Sequence, residues 1–447
     1  MLIRKKKANN TIGLQVFNTL RFATFLVISI VFTKIGLTKE EIGLFEVSVF
    51  IASAASSFWV TGLIQSFIPL YNNSSTFGNN SNNIDKKSPE IFNAYILLLT
   101  FSIIIFIIGL SVQNNFSVFG HKGKVPLLNV TLWYFLLSSP ACLVEYIYML
   151  RNRSSNTILY AYLTYSLQLV LVIVPAWAGY GVVWSLRGLV LVAIIRNIWL
   201  FTLLYNYAEF KISTKFIKEH LKLAIPLIIS VFVSGSAQYI DGIVVSTHYS
   251  ADGFAIFRYG AKELPFVVTL AAGLSSTMLA EFSVKNKINA TLKEIKKRSL
   301  RIMHIMYPIS IILLFFAKPV FINMFSVEFT RSADVFVIYL LAIFGRLLFP
   351  HTILIGLKKT KIILIVSIIE FVVNLGLSLW LVGIYGVVGV ALATVIVYVF
   401  SKALLIAYNY FALKIKPQEY IPIGWYLMYS SVLLILFVLL DHGVIHV

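Results

Sequence analysis

Cysteine occurs once in 447 residues, as Cys142. A single thiol makes no intrachain disulfide and no cysteine-based metal site, and its apolar neighbours fit a small, inert buried side chain. Charge is also scarce. Asp, Glu, Lys and Arg make up 12% of the chain, about half the ~25% of a soluble domain. Acidic residues are the scarcer kind, 18 against 37 Lys and Arg. The chain has no G-x-x-x-x-G-K-[ST] phosphate loop, no H-E-x-x-H and no G-x-S-x-G nucleophile elbow. Their absence excludes ATP hydrolysis on a P-loop and the common zinc and serine hydrolase sites. No catalytic constellation stands out, so an enzyme is not expected, and no metal or organic cofactor is implied.

The chain is rich in long apolar runs. Hydrophobic residues reach 59% and the mean hydropathy is +0.87. A bilayer crossing takes about 20 predominantly apolar residues. Thirteen stretches qualify: 11–35, 41–71, 91–112, 127–150, 156–178, 182–206, 221–248, 252–284, 300–325, 333–357, 361–382, 386–413 and 421–440. They are numbered here as spans 1 to 13. Open sheet edges cannot face lipid, and the runs are too long for barrel strands, so every span is expected to be helical. The fold class is an all-α polytopic membrane protein. The basic start, MLIRKKKANN, precedes a run too long for a signal-peptide core and without a small-residue cleavage site. It reads as the cytoplasmic lead-in to a retained first helix.

The cations are sorted by loop. With the N-terminus inside, the inner segments hold 24 Lys and Arg, from Arg4–Lys7 through Lys414 and Lys416. The outer loops hold six: Lys34, Lys39, Lys122, Lys124, Lys318 and Arg331. The positive-inside rule therefore places the N-terminus in the cytoplasm. It also accounts for most of the net charge of +19, so nucleic acid is not needed as a partner; contact with anionic membrane lipids follows instead. The longest polar stretch, 72–90, reads as a flexible cytoplasmic linker.

Three local echoes point to an internal repeat. IGLFEVS (42–48) resembles FAIFRYG (254–260), SPACLVEYIYMLRNR (139–153) resembles FPHTILIGLKKTKI (349–362), and GVVWSLRGLV (181–190) resembles GVVGVALATV (386–395). Their offsets are 212, 210 and 205 residues, in order along the chain. Six spans separate the copies, so the second returns in the same orientation. The expected organisation is a basic cytoplasmic N-terminus at 1–10, an N-lobe at 11–206 and a cytoplasmic linker at 207–220. A C-lobe at 221–413 and an additional helix within 414–447 complete it. Parallel repeats of this kind are an architecture of alternating-access transporters, with the site near the midplane.

At this point the chain resembles a known family. AQYIDGIVVSTHYSADGFAIFRYGAKEL, a seventh helix with an acid, a tight turn and a Gly/aromatic entry to the eighth, is one pattern; IYGVVGVALATVIVYVF, a Gly-spaced start to the twelfth, is another. These are similar to the oligosaccharide flippases of polysaccharide biosynthesis (Wzx-like), in the superfamily that also holds MATE exporters and lipid II flippases. The resemblance covers roughly residues 8–413; the thirteenth helix departs from the simplest twelve-helix plan. It implies a V-shaped pair of six-helix lobes and a cavity lined mainly by spans 1, 2, 7 and 8. It also implies transfer of an undecaprenyl-diphosphate-linked oligosaccharide from the cytoplasmic to the outer leaflet of a bacterial inner membrane, for O-antigen, lipopolysaccharide or capsule. A monomer, working beside a polysaccharide polymerase or other assembly proteins, would be the unit. The alternatives are a MATE-like exporter of organic cations or drugs, and a membrane polymerase or glycosyltransferase. Short outer loops weigh against the last.

Charges inside spans are costly and usually face an interior or a wet cavity. Arg258 and Lys262 lie four apart on one helix face. Together they suit an anionic diphosphate, Arg as a fork and Lys as a point charge. They could instead pair with Asp241 or Glu46 and lock helices together. Glu263 lies round the helix from them, and Pro265 follows. Glu46 occupies the repeat position of Arg258 and could form an interlobe pair with it. Arg21, near the middle of span 1, is the other candidate contact to phosphate or sugar. Asp241 could take a proton or Na+ for coupling, or simply hydrogen-bond between helices. Glu145, Arg187 and Glu281 read as end-of-helix charges, and Arg196, Arg346, Glu370 and Lys402 as partners in ion pairs within a lobe. His351, after Pro350, reads as a packing histidine rather than a proton relay.

Overall fold

The structure, a computed structural model, describes residues 2–73, 86–112, 127–235, 237–261, 288–357 and 359–441. Among these, regular structure is helical apart from one isolated bridge between Ser88 and Ala208. The first helices are α1 (Leu2–Lys34), α2 (Lys39–Asn73), α3 (Pro89–Val112), α4 (Leu128–Ala141), α5 (Leu143–Leu150), α6 (Ser154–Trp177), α7 (Gly181–Tyr207) and α8 (Thr214–Gly235). They are followed by α9 (Ala237–His248), α10 (Ala251–Gly260), α11 (Ile288–Met324), α12 (Thr330–Leu340), α13 (Ile343–Arg346) and α14 (Pro350–Gly356). The last are α15 (Thr360–Tyr385), α16 (Val387–Phe411), α17 (Pro417–Tyr420) and α18 (Ile423–Asp441).

Ten helices among the described residues are long and apolar enough to cross a bilayer, eleven if one bent pair counts as a span. Every predicted span meets helix among the described residues. Span 8 is described only as far as Ala261, and span 7 is described on either side of residue 236, as α8 and α9. Span 9 begins earlier than predicted: α11 starts at Ile288 and runs for 37 residues. Large apolar side chains face outward, as a lipid solvent permits. Ile104, Ile107 and Ile108 on α3, and Val372 and Trp380 on α15, are each 49–64% exposed, a pattern that water would penalise.

Contacts divide the chain into two units. The first holds residues 1–235 and 246–255, and the second 236–245 and 256–447. In the first, α1 packs on α6, α2 on α8, and α7 on both α4 and α6. α8 is held to α2 by His220, whose Nε2 lies 2.9 Å from the Leu63 carbonyl, and by the close approach of Ile228 to Gly62. The core is aromatic: Phe17 stacks on Tyr160 at 6.0 Å, and Trp59 lies 5.7 Å from Phe101. In the second unit α15 packs on α16, α12 on α11 and α16, and α18 on α11.

The echoes have structural counterparts. Gly181 and Gly386, 205 residues apart, both take positive φ, +73° and +65°, and open α7 and α16 after tight turns. Only glycine does this without strain. Just inside each hairpin the backbones nearly touch. A Cβ on Gly188 would lie 2.0 Å from the Leu171 carbonyl oxygen, and one on Gly389 2.2 Å from that of Leu381. The Pro140 and Pro350 echoes are both helix interruptions, at Cys142 between α4 and α5 and at 347–349 before α14.

The second interruption corrects the expectation of a continuous span 10. The stretch bends by 45° between Arg346 and Pro350. Proline supplies no N–H and starts α14 at its first position. Broken backbone at membrane depth survives only where protein covers it, and here Leu347, Leu348 and Phe349 are all buried. Side chains from three helices accept the task of capping the loosened carbonyls. Ser299 Oγ of α11 donates to Leu347 O at 2.9 Å, Tyr426 OH of α18 to Phe344 O at 3.1 Å, and Asn409 Nδ2 of α16 to Pro350 O at 3.2 Å.

The two close hairpins predict a shared weakness. Gly188→Leu and Gly389→Leu should each cost about 1–3 kcal/mol or more by overpacking, read as a lower melting temperature in detergent. The same substitution at Gly376, where a Cβ meets nothing within 4 Å, should leave the melting temperature near that of the parent.

Candidate functional site

The second unit contains a buried, oxygen-lined cluster around Asp241. α9 carries Asp241 inward, where it is 4% exposed. Tyr339, in the last turn of α12, donates its hydroxyl to Asp241 Oδ2 at 2.5 Å, and Thr394, on α16, donates to Oδ1 at 2.6 Å. Asn374 and Ser378 stand one turn apart on α15, both buried. Ser378 Oγ donates to Asn374 Oδ1 at 3.2 Å, and the same Oδ1 lies 3.3 Å from Thr394 Oγ1. Thr394 has one proton, and the shorter contact assigns it to Asp241. The cluster thus gathers a carboxylate, an amide oxygen and three hydroxyls from four helices. All are hard oxygen donors, suited to a proton or an alkali-type cation and unsuited to soft metals. No group of three or more His, Cys, Asp or Glu with metal-site geometry occurs among the described residues.

Arg258 belongs to the same unit. Its helix, α10, is fixed there by aromatic contacts on either side of the arginine. Phe257 packs against Tyr339 at 6.3 Å. Tyr259 forms a three-ring cluster with Phe325 and Phe329, at 4.8 and 4.7 Å. Gly260 allows the backbone of Ser332 within 2.4 Å of where a Cβ would sit. Arg258 itself is half-buried. Tyr339 therefore has two roles at once, donating to Asp241 and packing against the residue before Arg258. Lys262 and Glu263, with Pro265 and Glu281, lie outside the described residues.

Glu46 and Arg21 belong to the first unit. Glu46, on α2, is 6% exposed and accepts from Ser29 Oγ of α1 at 3.1 Å. The 212-residue offset that matches Glu46 to Arg258 also matches Ser29 to Asp241, so corresponding positions hold polar groups in both repeats. Arg21, on α1, is exposed. Its charge acts on Glu145, Tyr134 and Tyr165.

The other intramembrane charges resolve as follows. Glu145 does not reach outward. It is buried on α5 and pairs with Arg196 of α7 at 3.7 Å. Arg196 Nε donates to Tyr160 OH at 2.7 Å and its guanidinium lies 6.0 Å from the Phe17 ring. Arg187 is exposed and lies over Trp184 at 4.5 Å, as an end-of-helix cation should. Arg346 and Lys402 both address the ring of Tyr398, at 5.4 and 4.8 Å, with Glu370 under the influence of Lys402. His351 sits half-buried on α14. Sequence reasoning missed Tyr339, Thr394, Asn374 and Ser378. Neutral polar residues are common in membrane helices, and only the i, i+4 pair Asn374/Ser378 on an otherwise apolar run hinted at a shared polar face.

The profile of a family described as polysaccharide biosynthesis protein matches residues 37–334. A search of curated proteins gives no match. Solved structures of the same fold include a lipid II flippase, MurJ, in an inward closed conformation, with a TM-score of 0.70 at 19% identity over 95% of this chain and 92% of that one. An inward-facing multidrug resistance MATE family transporter of the MOP superfamily superposes with a TM-score of 0.64 at 17% identity, over 95% of this chain and 98% of that one. A MOP superfamily transporter from Pyrococcus furiosus gives 0.56 at 14% identity, over 92% and 96%.

The Glu145–Arg196 pair generates a stability prediction. Removing one partner of a buried pair leaves an uncompensated charge and costs about 3–5 kcal/mol. Arg196→Met should therefore lower the melting temperature strongly, and Glu145→Gln/Arg196→Met should recover most of the loss. A double variant no more stable than the single would show that Arg196 acts through Tyr160 and Phe17 instead.

Proposed function

The chain belongs to the polysaccharide biosynthesis family whose profile spans residues 37–334, and from that premise we propose that it is a flippase. Its cargo is an undecaprenyl-diphosphate-linked oligosaccharide, moved from the cytoplasmic to the outer leaflet for surface polysaccharide of the O-antigen or capsule type. It works by alternating access, as a transporter and not an enzyme, in a bacterial inner membrane with its N-terminus in the cytoplasm. The observation that carries the reading is family membership in biosynthesis joined to a fold shared with a lipid II flippase and MATE transporters. The loop distribution of Lys and Arg supports the orientation. A monomer is the working unit, with a polysaccharide polymerase or other assembly proteins as neighbours.

In this reading Arg258, with Lys262 four residues on, binds the diphosphate, and Arg21 contacts phosphate or sugar. A guanidinium binds phosphate oxygens in pairs, and binding strengthens where water is excluded. Asp241 is the coupling group. A proton or Na+ arriving there competes with the hydroxyls of Tyr339 and Thr394 for the carboxylate oxygens. Tyr339 cannot keep its bond to Oδ2 unchanged through that event, and it packs on Phe257, next to Arg258. The ion state of Asp241 is thereby linked to the segment that holds the cargo's charge. Glu46, buried and bonded to Ser29, serves as a gating acid. A MATE-like exporter of organic cations is the second reading, favoured by the MATE superpositions and by the acid at the centre of the cluster.

The deciding experiment uses a deletion strain. Its lipid extract should contain a sugar-linked polyprenyl diphosphate trapped on the cytoplasmic leaflet, cleared by the wild-type gene and not by Arg258→Ala or Arg21→Ala. Both variants should still insert at wild-type levels; normal clearance by both ends the phosphate role. Absence of the lipid, with new sensitivity to cationic drugs, would move the protein to the exporter reading. A separate prediction concerns coupling. Asp241→Asn should abolish dependence of transport on the ion gradient, and Tyr339→Phe should weaken it while leaving the packing on Phe257 intact. Loss of a hydrogen bond to a charged group is worth about 1.5–3 kcal/mol, so with the competing hydroxyl gone the ion should bind roughly 10- to 100-fold more tightly while its link to α10 is weakened. Unchanged ion dependence in Asp241→Asn would remove Asp241 from the mechanism.

A further inference from the structure

The proposed cycle makes no use of the first half of α11. That helix has 37 residues, about 55 Å at 1.5 Å each, against roughly 30 Å of hydrocarbon. Its N-terminal part, residues 288–304, is two-faced. Thr291, Leu292, Ile295 and Ser299 are buried. That face is anchored by Ser299 Oγ on Leu347 O and by Lys296 Nζ, which donates to Gln418 O of α17 at 2.8 Å. On the outer face Lys293, Lys297, Arg301 and His304 are all exposed, spaced four, four and three residues apart. They form one continuous stripe. Like charges at such spacing repel and destabilise a helix. Glu294, the one carboxylate between residues 288 and 304, is engaged by Arg298 at 2.6 Å and shared electrostatically with Lys297 and Arg301. One anion among five Lys and Arg leaves the segment strongly cationic.

The foot of the stripe is marked by aromatic groups. His304 Nδ1 lies 2.8 Å from Tyr429 OH, and its ring meets Trp425 edge-on at 4.9 Å. Trp and Tyr settle at the headgroup level of a bilayer, where one end is apolar and the other wet. Their position beside His304 sets that level on α11. Arg301 then stands about one turn above it, and Lys297 and Lys293 follow in steps of about 6 Å. Successive cations fall within a Debye length of one another.

We propose that the Lys293–Lys297–Arg301–His304 face of α11 is a docking surface for anionic phospholipid headgroups of the leaflet that this end of the helix meets. Charge complementarity names the occupant. The phosphate is the group that lies at this depth and has the sign the stripe lacks. Arg301 forks the phosphate oxygens, and Lys297 and Lys293 attract the headgroup layer above. The bound lipids relieve repulsion along the helix and hold α11 at a fixed depth. The assignment does not depend on the identity of the transported lipid.

The test counts lipids on the purified, full-length protein by native mass spectrometry, with phosphatidylglycerol and phosphatidylcholine as probes. The wild type should prefer phosphatidylglycerol. Each surface cation near an anionic bilayer is worth about fivefold in binding, so K293Q/K297Q/R301Q should lower the preference by on the order of 100-fold. K293R/K297R/R301K should retain it. The comparison triple K215Q/K218Q/K222Q, which removes three exposed lysines of α8, should retain most of it. Wild-type preference in the glutamine triple of α11, or an equal loss in the α8 triple, overturns the assignment. A measurement on the unaltered protein guards against a misfolded variant: raising salt from 0.05 to 0.5 M should release the anionic lipid selectively, and salt-independent retention overturns it as well.

Discussion

The constraint on which the structure rests is that hydrocarbon offers no hydrogen bonds. Every backbone N–H and C=O within the bilayer must be satisfied by the protein itself. Long helices do this locally, and the chain is accordingly built of them. The informative places are those where a helix is broken. Between α12 and α14 the carbonyls of Phe344, Leu347 and Pro350 are met by Tyr426, Ser299 and Asn409. These three come from α18, α11 and α16, so one interruption ties the surrounding helices of the second unit together. The last described helix, α18, is part of that arrangement. α18 reaches the break through Tyr426 and seals to α11 through Tyr307–Ser430 and His304–Tyr429.

The same absence of water governs the side chains. A charge that cannot reach an interface needs a partner, and the first unit supplies one in the Glu145–Arg196 pair, backed by Tyr160 and Phe17. Asp241, in the second unit, accepts from the hydroxyls of Tyr339 and Thr394, and hydroxyls can reorient when an ion arrives. Tyr339 joins this cluster to α10, because its ring lies against Phe257 while its oxygen lies on Asp241.

Much of this was legible in the linear chain. Helical class, membrane residence and the approximate place of each span follow from apolar runs, since length and composition alone decide what dissolves in a bilayer. The two echoed turns were legible too, because turn geometry leaves a mark on residue type: Gly181 and Gly386 adopt positive φ, and few residues other than glycine do. Glu145 shows where this stops. Its position in the sequence, six residues before Arg151, suggested an outward reach, yet the kink at Cys142 and the packing of α5 on α7 direct it onto Arg196.

Sequence by itself therefore determined the class of solvent the protein lives in, the helices that meet it and the short list of charges that must find an explanation there. Tertiary structure alone decided which of those charges meet each other, and it added the uncharged partners. Asn374, Ser378, Thr394 and Tyr339 are unremarkable as letters in apolar runs. They become a site only because α9, α12, α15 and α16 converge, bringing together groups that are 20 to 153 residues apart in the chain. Hydropathy is a property of one residue and its neighbours along the chain, whereas a hydrogen bond depends on distance and angle between helices, which no local pattern encodes.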